Sequence, residues 1–278
     1  MHDYWLAVLL GIIEGLTEFL PISSTGHLLL AQQLLGVPLD KDPYWKMFTV
    51  VIQLGAILSV VVYYWPRLGA LVSDFFAAKP RAQVPRWRHP LVLVLVAVVP
   101  AGLIGILAKK HIDELMERAL PIGIAFLVGG ILIEVIERAC RGRGWVHDAA
   151  DVSPGQAIGI GVAQAVALVP GASRSACTIM GGRLLGLDVR AAADFSFLLS
   201  IPTMFAAALY SLYKHHVALD AHQWGVLAVG FGVSFVVALG VVAWFLHYLK
   251  THSFRLFVVY RVVVGIAIIV AALAGWLS

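Results

Sequence analysis

Six long apolar runs dominate the chain, at about 47–66, 90–108, 120–138, 191–213, 223–246 and 255–277. Each is near the ~20 residues that a helix needs to cross a bilayer, so six transmembrane helices are predicted. Two more apolar segments, 5–36 and 156–187, are broken in the middle by Pro21 and Pro170 with neighbouring Gly and Ser. Each resulting piece is too short to cross. Irregular backbone at membrane depth survives only where protein buries it or it lines a wet cavity, so each segment is expected to be a re-entrant helical hairpin. The expected fold is an all-α integral membrane protein with about six transmembrane helices plus two re-entrant hairpins.

The broken segments resemble each other. At an offset of 150, Gly11 meets Gly161, Glu14 meets Gln164, Ser23 meets Ser173, and Leu34-Leu35-Gly36 meets Leu184-Leu185-Gly186. The chain therefore reads as one membrane domain, 1–278, with pseudo-repeat halves of about 1–138 and 139–278. Charge sets the orientation, since Lys and Arg accumulate on the cytoplasmic side. Arg67, Lys79, Arg81, Arg86 and Arg88 put the loop after the first span inside. Span counting then brings Arg138, Arg141, Arg143, Arg183, Arg190, Lys250 and Arg255 inside as well. The outer loops carry Lys41, Lys46, Lys109, Lys110, Arg118 and Lys214. Both termini fall outside, the first hairpin enters from outside and the second from inside. That is an inverted repeat whose broken helices meet near the midplane.

Composition agrees with the pattern. The chain is 60% hydrophobic and 13% charged, where a soluble domain is nearer one quarter charged. The net charge of +4 lies in short loops and does not point to nucleic acid. The N-terminal stretch lacks a basic region and carries Asp3, Glu14 and Glu18, so a cleaved signal peptide is not expected; no lipidation motif is visible. Cys140 and Cys177 are expected to be unpaired thiols. A short interfacial helix is expected around 68–76. The Gly11/Gly15 and Gly155/Gly159 spacings would allow close helix contact.

Two polar strings carry the chemistry: EGLTEFLPISSTGH (14–27) and VPGASRSACT (169–178). Ionisable groups inside the membrane cost roughly 2.5–3.5 kcal/mol each on insertion scales and default to a functional reading. Glu14 and Glu18 are four apart and share a helix face. They call for a cation, a shared proton or a divalent metal; alternatively they face water at the boundary. Ser23, Ser24 and Thr25 can cap the helix after Pro21, and a helix N-terminus seats phosphate. His27 lies three residues after Ser24, within reach of its hydroxyl. The two read as a nucleophile–base pair, or as a capping serine beside a packed histidine. The second string repeats the device with Ser173, Ser175 and Thr178 as hydroxyls. Its Arg174 offers a fork suited to phosphate, or an ion pair with Glu18. Gln53 and Arg261 are polar groups inside apolar spans and join the candidate substrate-binding residues. Arg261 is either a second anion contact or a snorkelling side chain. The other histidines (His215, His216, His222, His247 and His252) suggest no metal set.

These strings, with VVIQLGAI at 50–57 and YRVVVG at 260–265, resemble the undecaprenyl-diphosphate phosphatase family of the bacitracin-resistance type, over nearly the whole chain. The resemblance implies a multi-pass enzyme of the bacterial inner membrane that converts undecaprenyl diphosphate to undecaprenyl phosphate and phosphate. The product is a lipid carrier for peptidoglycan and other envelope polymers. It implies that Glu14 and Glu18 are the acidic residues and that Ser24, His27, Ser173, Arg174 and Thr178 are site residues. It also implies divalent metal dependence and a site opening to the periplasmic face. Glu14 and Glu18 bridged to phosphate by Mg²⁺ or Ca²⁺ would suit this. The expected partners are the polyprenyl substrate and membrane lipids, with a homodimer allowed and nucleic acid not expected. Ser24 with His27 as base, His27 itself, or an activated water would each serve as nucleophile. The competing class is a polyprenyl-phosphate flippase of inverted-repeat type, since secondary carriers share that architecture.

Overall fold

The computed structural model describes residues 2–37, 42–77, 85–116, 118–214 and 219–277. Lys41, Lys79, Arg81, His215 and His216 lie outside the described residues, as do the side chains of Lys109, Lys110 and Lys214. Among the described residues there are eleven α-helices: α1 His2–Thr17, α2 Ser24–Leu35, α3 Pro43–Tyr63, α4 Trp65–Phe76, α5 Pro90–Met116, α6 Ala119–Ala139, α7 Pro154–Val166, α8 Arg174–Leu184, α9 Val189–Lys214, α10 Ala221–Tyr248 and α11 Arg255–Leu273. Six of them, α3, α5, α6, α9, α10 and α11, are long and apolar enough to cross a membrane. They correspond to the six predicted runs.

Local chemistry moves the starts of α3 and α10 outward from the hydropathy limits. The Asp42 side chain accepts from the Tyr44 N–H and Pro43 sits at the first helical position, so α3 starts before its apolar run. Asp220 and Gln223 form a reciprocal capping box that starts α10. Pro100 and Pro202 lie inside α5 and α9 without ending them. Neighbouring helices can satisfy backbone groups that a membrane proline frees.

The two broken segments are helix–break–helix units, α1/α2 and α7/α8. Their packing partners correspond: α1 lies along α10 and α7 along α5, while α10 packs on α3 and α5 on α9. Glycines permit both close approaches. A Cβ at Gly11 would lie 2.7 Å from the Gly230 carbonyl oxygen, and one at Gly161 would lie 2.4 Å from that of Ala97. Gly15 meets α10 in the same way, but the Gly155/Gly159 expectation needs correction. Gly155 faces open space and Gly159 meets only the Leu185 side chain, so Gly161 makes the close contact on α7.

The basic loops gather on one face. Arg67 pairs with Asp148 and Asp194, Trp145 N–H donates to Gly186, and Glu137 accepts from the Phe254 N–H. The start of α1 belongs to the other face, where Asp3 pairs with His222 at 3.0 Å. A helix does stand where one was expected around 68–76: it is α4, which has no buried residue. It leaves Trp65, Val72 and Phe76 exposed, as a helix lying in the membrane surface would.

Candidate active site

The breaks in the two hairpins bring the polar strings together deep in the bundle. Each second helix begins at a serine with positive φ, Ser23 at 71° and Ser173 at 73°. Each serine accepts from the backbone N–H three residues on, Gly26 or Ala176. Non-glycine residues reach such dihedrals at a cost of about 1–3 kcal/mol. Pro21 and Gly171 supply the turns in front of them.

One polar chain crosses between the tips. Ser24 Oγ donates to Glu18 Oε2, and Arg174 Nη2 reaches Glu18 Oε1 at 3.0 Å. The ion pair weighed as the alternative to phosphate binding is therefore formed. Arg174 Nη1 also donates to the Ser196 carbonyl at 3.3 Å, while its Nε is buried with no partner. Ser175 donates to the Leu20 carbonyl at 2.8 Å and stands 3.1 Å from Ser173, so these hydroxyls stitch the second tip to the first. Thr178 is turned away, donating to the Arg174 carbonyl at 2.8 Å and meeting the Ser196 hydroxyl at 2.6 Å.

The Ser24–His27 hydrogen bond suggested by spacing is not formed. His27 Nδ1 lies 2.7 Å from the Ser23 carbonyl, and Nε2 lies 2.6 Å from the Tyr260 hydroxyl. A carbonyl only accepts, so Nδ1 carries the proton and in the neutral ring Nε2 accepts from Tyr260. The two rings also stack, 5.6 Å apart. Tyr260 is a site neighbour that sequence reasoning missed, although it stands beside Arg261 in a quoted string.

Arg261 departs from both of its expected roles. It does not snorkel, because it is fully buried on α11. Four of its five N–H groups donate to carbonyls: Nε to Phe126, Nη1 to Pro21, and Nη2 to Ala125 and Gly171. Little donor capacity is left for an anion. Pro21 and Gly171 are related by the same offset of 150 as the two broken segments, and one guanidinium pins both tips to each other and to α6. Gln53 on α3 makes none of these contacts. Thr25 is half-buried at the first turn of α2 and makes no side-chain hydrogen bond among the described residues.

Three buried groups here are left unsatisfied. Both Glu14 carboxylate oxygens lack a partner, as do Gln164 Nε2 and Arg174 Nε. Gln164 is the equivalent of Glu14 in the second hairpin and was not among the expected site residues. Most buried polar atoms have partners, so three orphans around one cluster mark a place for water or a polar ligand. Among the described residues no set of three His, Cys, Asp or Glu side chains could hold a metal ion. Two carboxylates still suffice for a hard cation completed by water and phosphate oxygens, the usual Mg²⁺ arrangement. The free oxygens of Glu14 fit that role better than those of Glu18, which are engaged.

Residues 7–267 match the family described as bacitracin resistance protein BacA. This chain belongs to that family. Its relatives include the undecaprenyl-diphosphatase of Koribacter versatilis, 44% identical over 98% of this chain and 99% of that one. The undecaprenyl-diphosphatase of Aquifex aeolicus is 42% identical over 94% and 96%. Undecaprenyl-diphosphatase 2 of Paramagnetospirillum magneticum is 45% identical over 93% and 95%. The family match thus covers both polar strings, five spans and most of the sixth.

Proposed function

We propose that this chain is an undecaprenyl-diphosphate phosphatase that releases phosphate and returns undecaprenyl phosphate to envelope synthesis. The same activity would confer the bacitracin resistance that names the family. The observation that carries the reading is the Ser24–Glu18–Arg174 chain, which joins a nucleophile, a proton acceptor and a phosphate-binding cation across two hairpin tips. Ser24 Oγ attacks the terminal phosphorus and passes its proton to Glu18. The phosphoanhydride bond to the lipid-bearing phosphate breaks, and a water then frees Ser24 by hydrolysing the phosphoserine. Arg174 and the N-termini of α2 and α8 hold the diphosphate oxygens, with Ser23, Thr25 and Ser173 at those same N-termini. His27, fixed by Ser23 and Tyr260, stands as an acid or base for the later steps rather than as the partner of Ser24. Glu14, with Glu18 as second ligand, would hold Mg²⁺ or Ca²⁺, which neutralises charge on the transferring phosphoryl group when bound.

The test is phosphate release by purified protein in detergent, where no transport occurs. A flippase would release none. Arg174→Lys is expected to lose at least ~10-fold in turnover despite keeping its charge, because lysine has no bidentate fork. Near-normal release would remove Arg174 from the phosphate site. In a divalent-metal titration of the same assay, Glu14→Gln is expected to raise the activating metal concentration. An unchanged midpoint with reduced turnover would instead make Glu14 an acid or base.

The corresponding packing of α1 on α10 and α7 on α5 supports an inverted repeat with halves of about 1–138 and 139–278. We place the chain in the bacterial inner membrane with the site open to the periplasm. Single cysteines near His2 should then react with an impermeant thiol reagent in intact spheroplasts, in a background where Cys140 and Cys177 are alanine. Cysteines around Gly142 should react only after lysis. The opposite pattern would reverse the orientation. The companion positions Leu39 and Gln83 lie outside the described residues. A homodimer would add nothing to the catalytic cluster, because both tips come from one chain.

A further inference from the structure

The face on which the basic loops gather holds a cavity of about 490 Å³ between the turns after α6 and α8 and the end of α10. Val189, Leu246 and Leu249 give it an apolar floor, and Arg183, Arg190 and Lys250 a cationic wall. A second cavity of about 280 Å³ adjoins it and shares Arg190, Leu246 and Lys250.

The acids in these walls are already engaged. Asp188 caps α9 through the Ala191 N–H at 2.7 Å and meets His147 at 2.8 Å. Asp194 accepts from Tyr64 and from Arg67. The cations are not matched in the same way. The side chains of Arg190 and Lys250 are exposed and make no hydrogen bond or ion pair among the described residues. Arg183 is buried in the wall and donates to the Leu187 and Cys140 carbonyls, yet its Nε has no partner. Exposed Trp65, Trp145 and Trp244 lie on the segments around the cavities. Such aromatics mark the level of the lipid head groups.

A cationic wall over an apolar floor at that level matches a net-negative phosphate carried on a lipid, and basic pockets between membrane helices take such head groups. We propose that the paired cavity binds the phosphate of an anionic glycerolipid from the leaflet on that side. Arg190 and Lys250 grip the phosphate, and Leu246 and Leu249 take the first methylenes of the chains. Free phosphate is the other source of the same chemistry. The site uses none of the residues of the hairpin tips and stands apart from the catalytic reading.

The test titrates dioctanoyl phosphatidylglycerol, dioctanoyl phosphatidylcholine and inorganic phosphate separately onto the purified full chain in uncharged detergent, with binding read by native mass spectrometry. Phosphatidylglycerol should bind and phosphatidylcholine should not. Arg190→Gln with Lys250→Gln should weaken phosphatidylglycerol about 10-fold or more, each single change part of that, while Arg174→Gln leaves it unchanged. Both substituted side chains are exposed, and an unchanged melting temperature confirms that the variants fold. Inorganic phosphate that binds with the same dependence on both residues, and displaces the lipid, would make the free ion sufficient for the site. Equal lipid binding in the double variant, or its loss in Arg174→Gln, would overturn the proposal.

Discussion

Ser24→Ala is expected to lower turnover by at least ~10²-fold, the scale on which single participants in proton transfer and attack contribute. Melting in detergent should stay close to wild type. Ser24 opens α2, where Ser23 makes the capping hydrogen bond, so alanine at Ser24 leaves the cap intact. What alanine removes is the Oγ that donates to Glu18. Glu18→Gln should fall by a similar factor and add little in combination, because residues acting as one unit are not additive. His27→Ala should fall independently of Ser24, since His27 is tied to Ser23 and Tyr260 rather than to the Ser24 hydroxyl. A trapped phosphoenzyme would separate the routes: phosphoserine survives acid and phosphohistidine does not. Wild-type turnover in Ser24→Ala would end the serine route and move the attack to His27 or water.

The second large effect is expected at Arg261, far along the chain from either polar string. Arg261→Met keeps the length of the side chain but leaves the carbonyls of Pro21, Ala125, Phe126 and Gly171 without this donor. The Ala125 and Phe126 carbonyls keep their helical donors within α6, so Pro21 and Gly171 become the unpaired acceptors; at about 1–3 kcal/mol each, a loss of ~2 kcal/mol or more is expected. That should appear as a large drop in melting temperature together with lost turnover. Arg261→Lys should recover only part of it, because an ammonium cannot span four carbonyls. A milder probe is Gly129→Ala. Its Cβ would stand 2.1 Å from Arg261 Nη2, so the guanidinium must shift against the carbonyls that hold it. This variant should fold and lose turnover, because it moves the clamp without deleting it. Normal activity in both Arg261→Lys and Gly129→Ala would show that the tips hold their positions without Arg261.

The spans were legible because hydropathy reports burial in lipid directly, and no packing detail is needed to find twenty apolar residues. The breaks were legible because proline and glycine act locally on the backbone at Pro21, Pro170 and Gly171. The pairing of Glu18 with Arg174 could be anticipated from charge alone, since two opposite charges at membrane depth seek each other. The partner of His27 could not. Three-residue spacing put it near Ser24, but the ring bonded to the Ser23 carbonyl and to Tyr260, which is 233 positions away. The role of Arg261 was hidden for the same reason. Its acceptors are main-chain carbonyls, which carry no residue identity, so no composition or motif points to them. The orphaned Gln164 was visible only as the repeat partner of Glu14, and its significance depends on burial.

Ser23 and Ser173 occupy dihedrals that glycine would adopt freely. A population of this protein selected only for heat tolerance would drift toward glycine at both positions, and the backbone would relax as it did so. The two serines therefore mark where resistance to heat is forgone for the sake of hydroxyls at the head of each inner helix. Consensus-style stabilisation of the bundle should leave these two positions fixed and draw its gains from the lipid-facing spans.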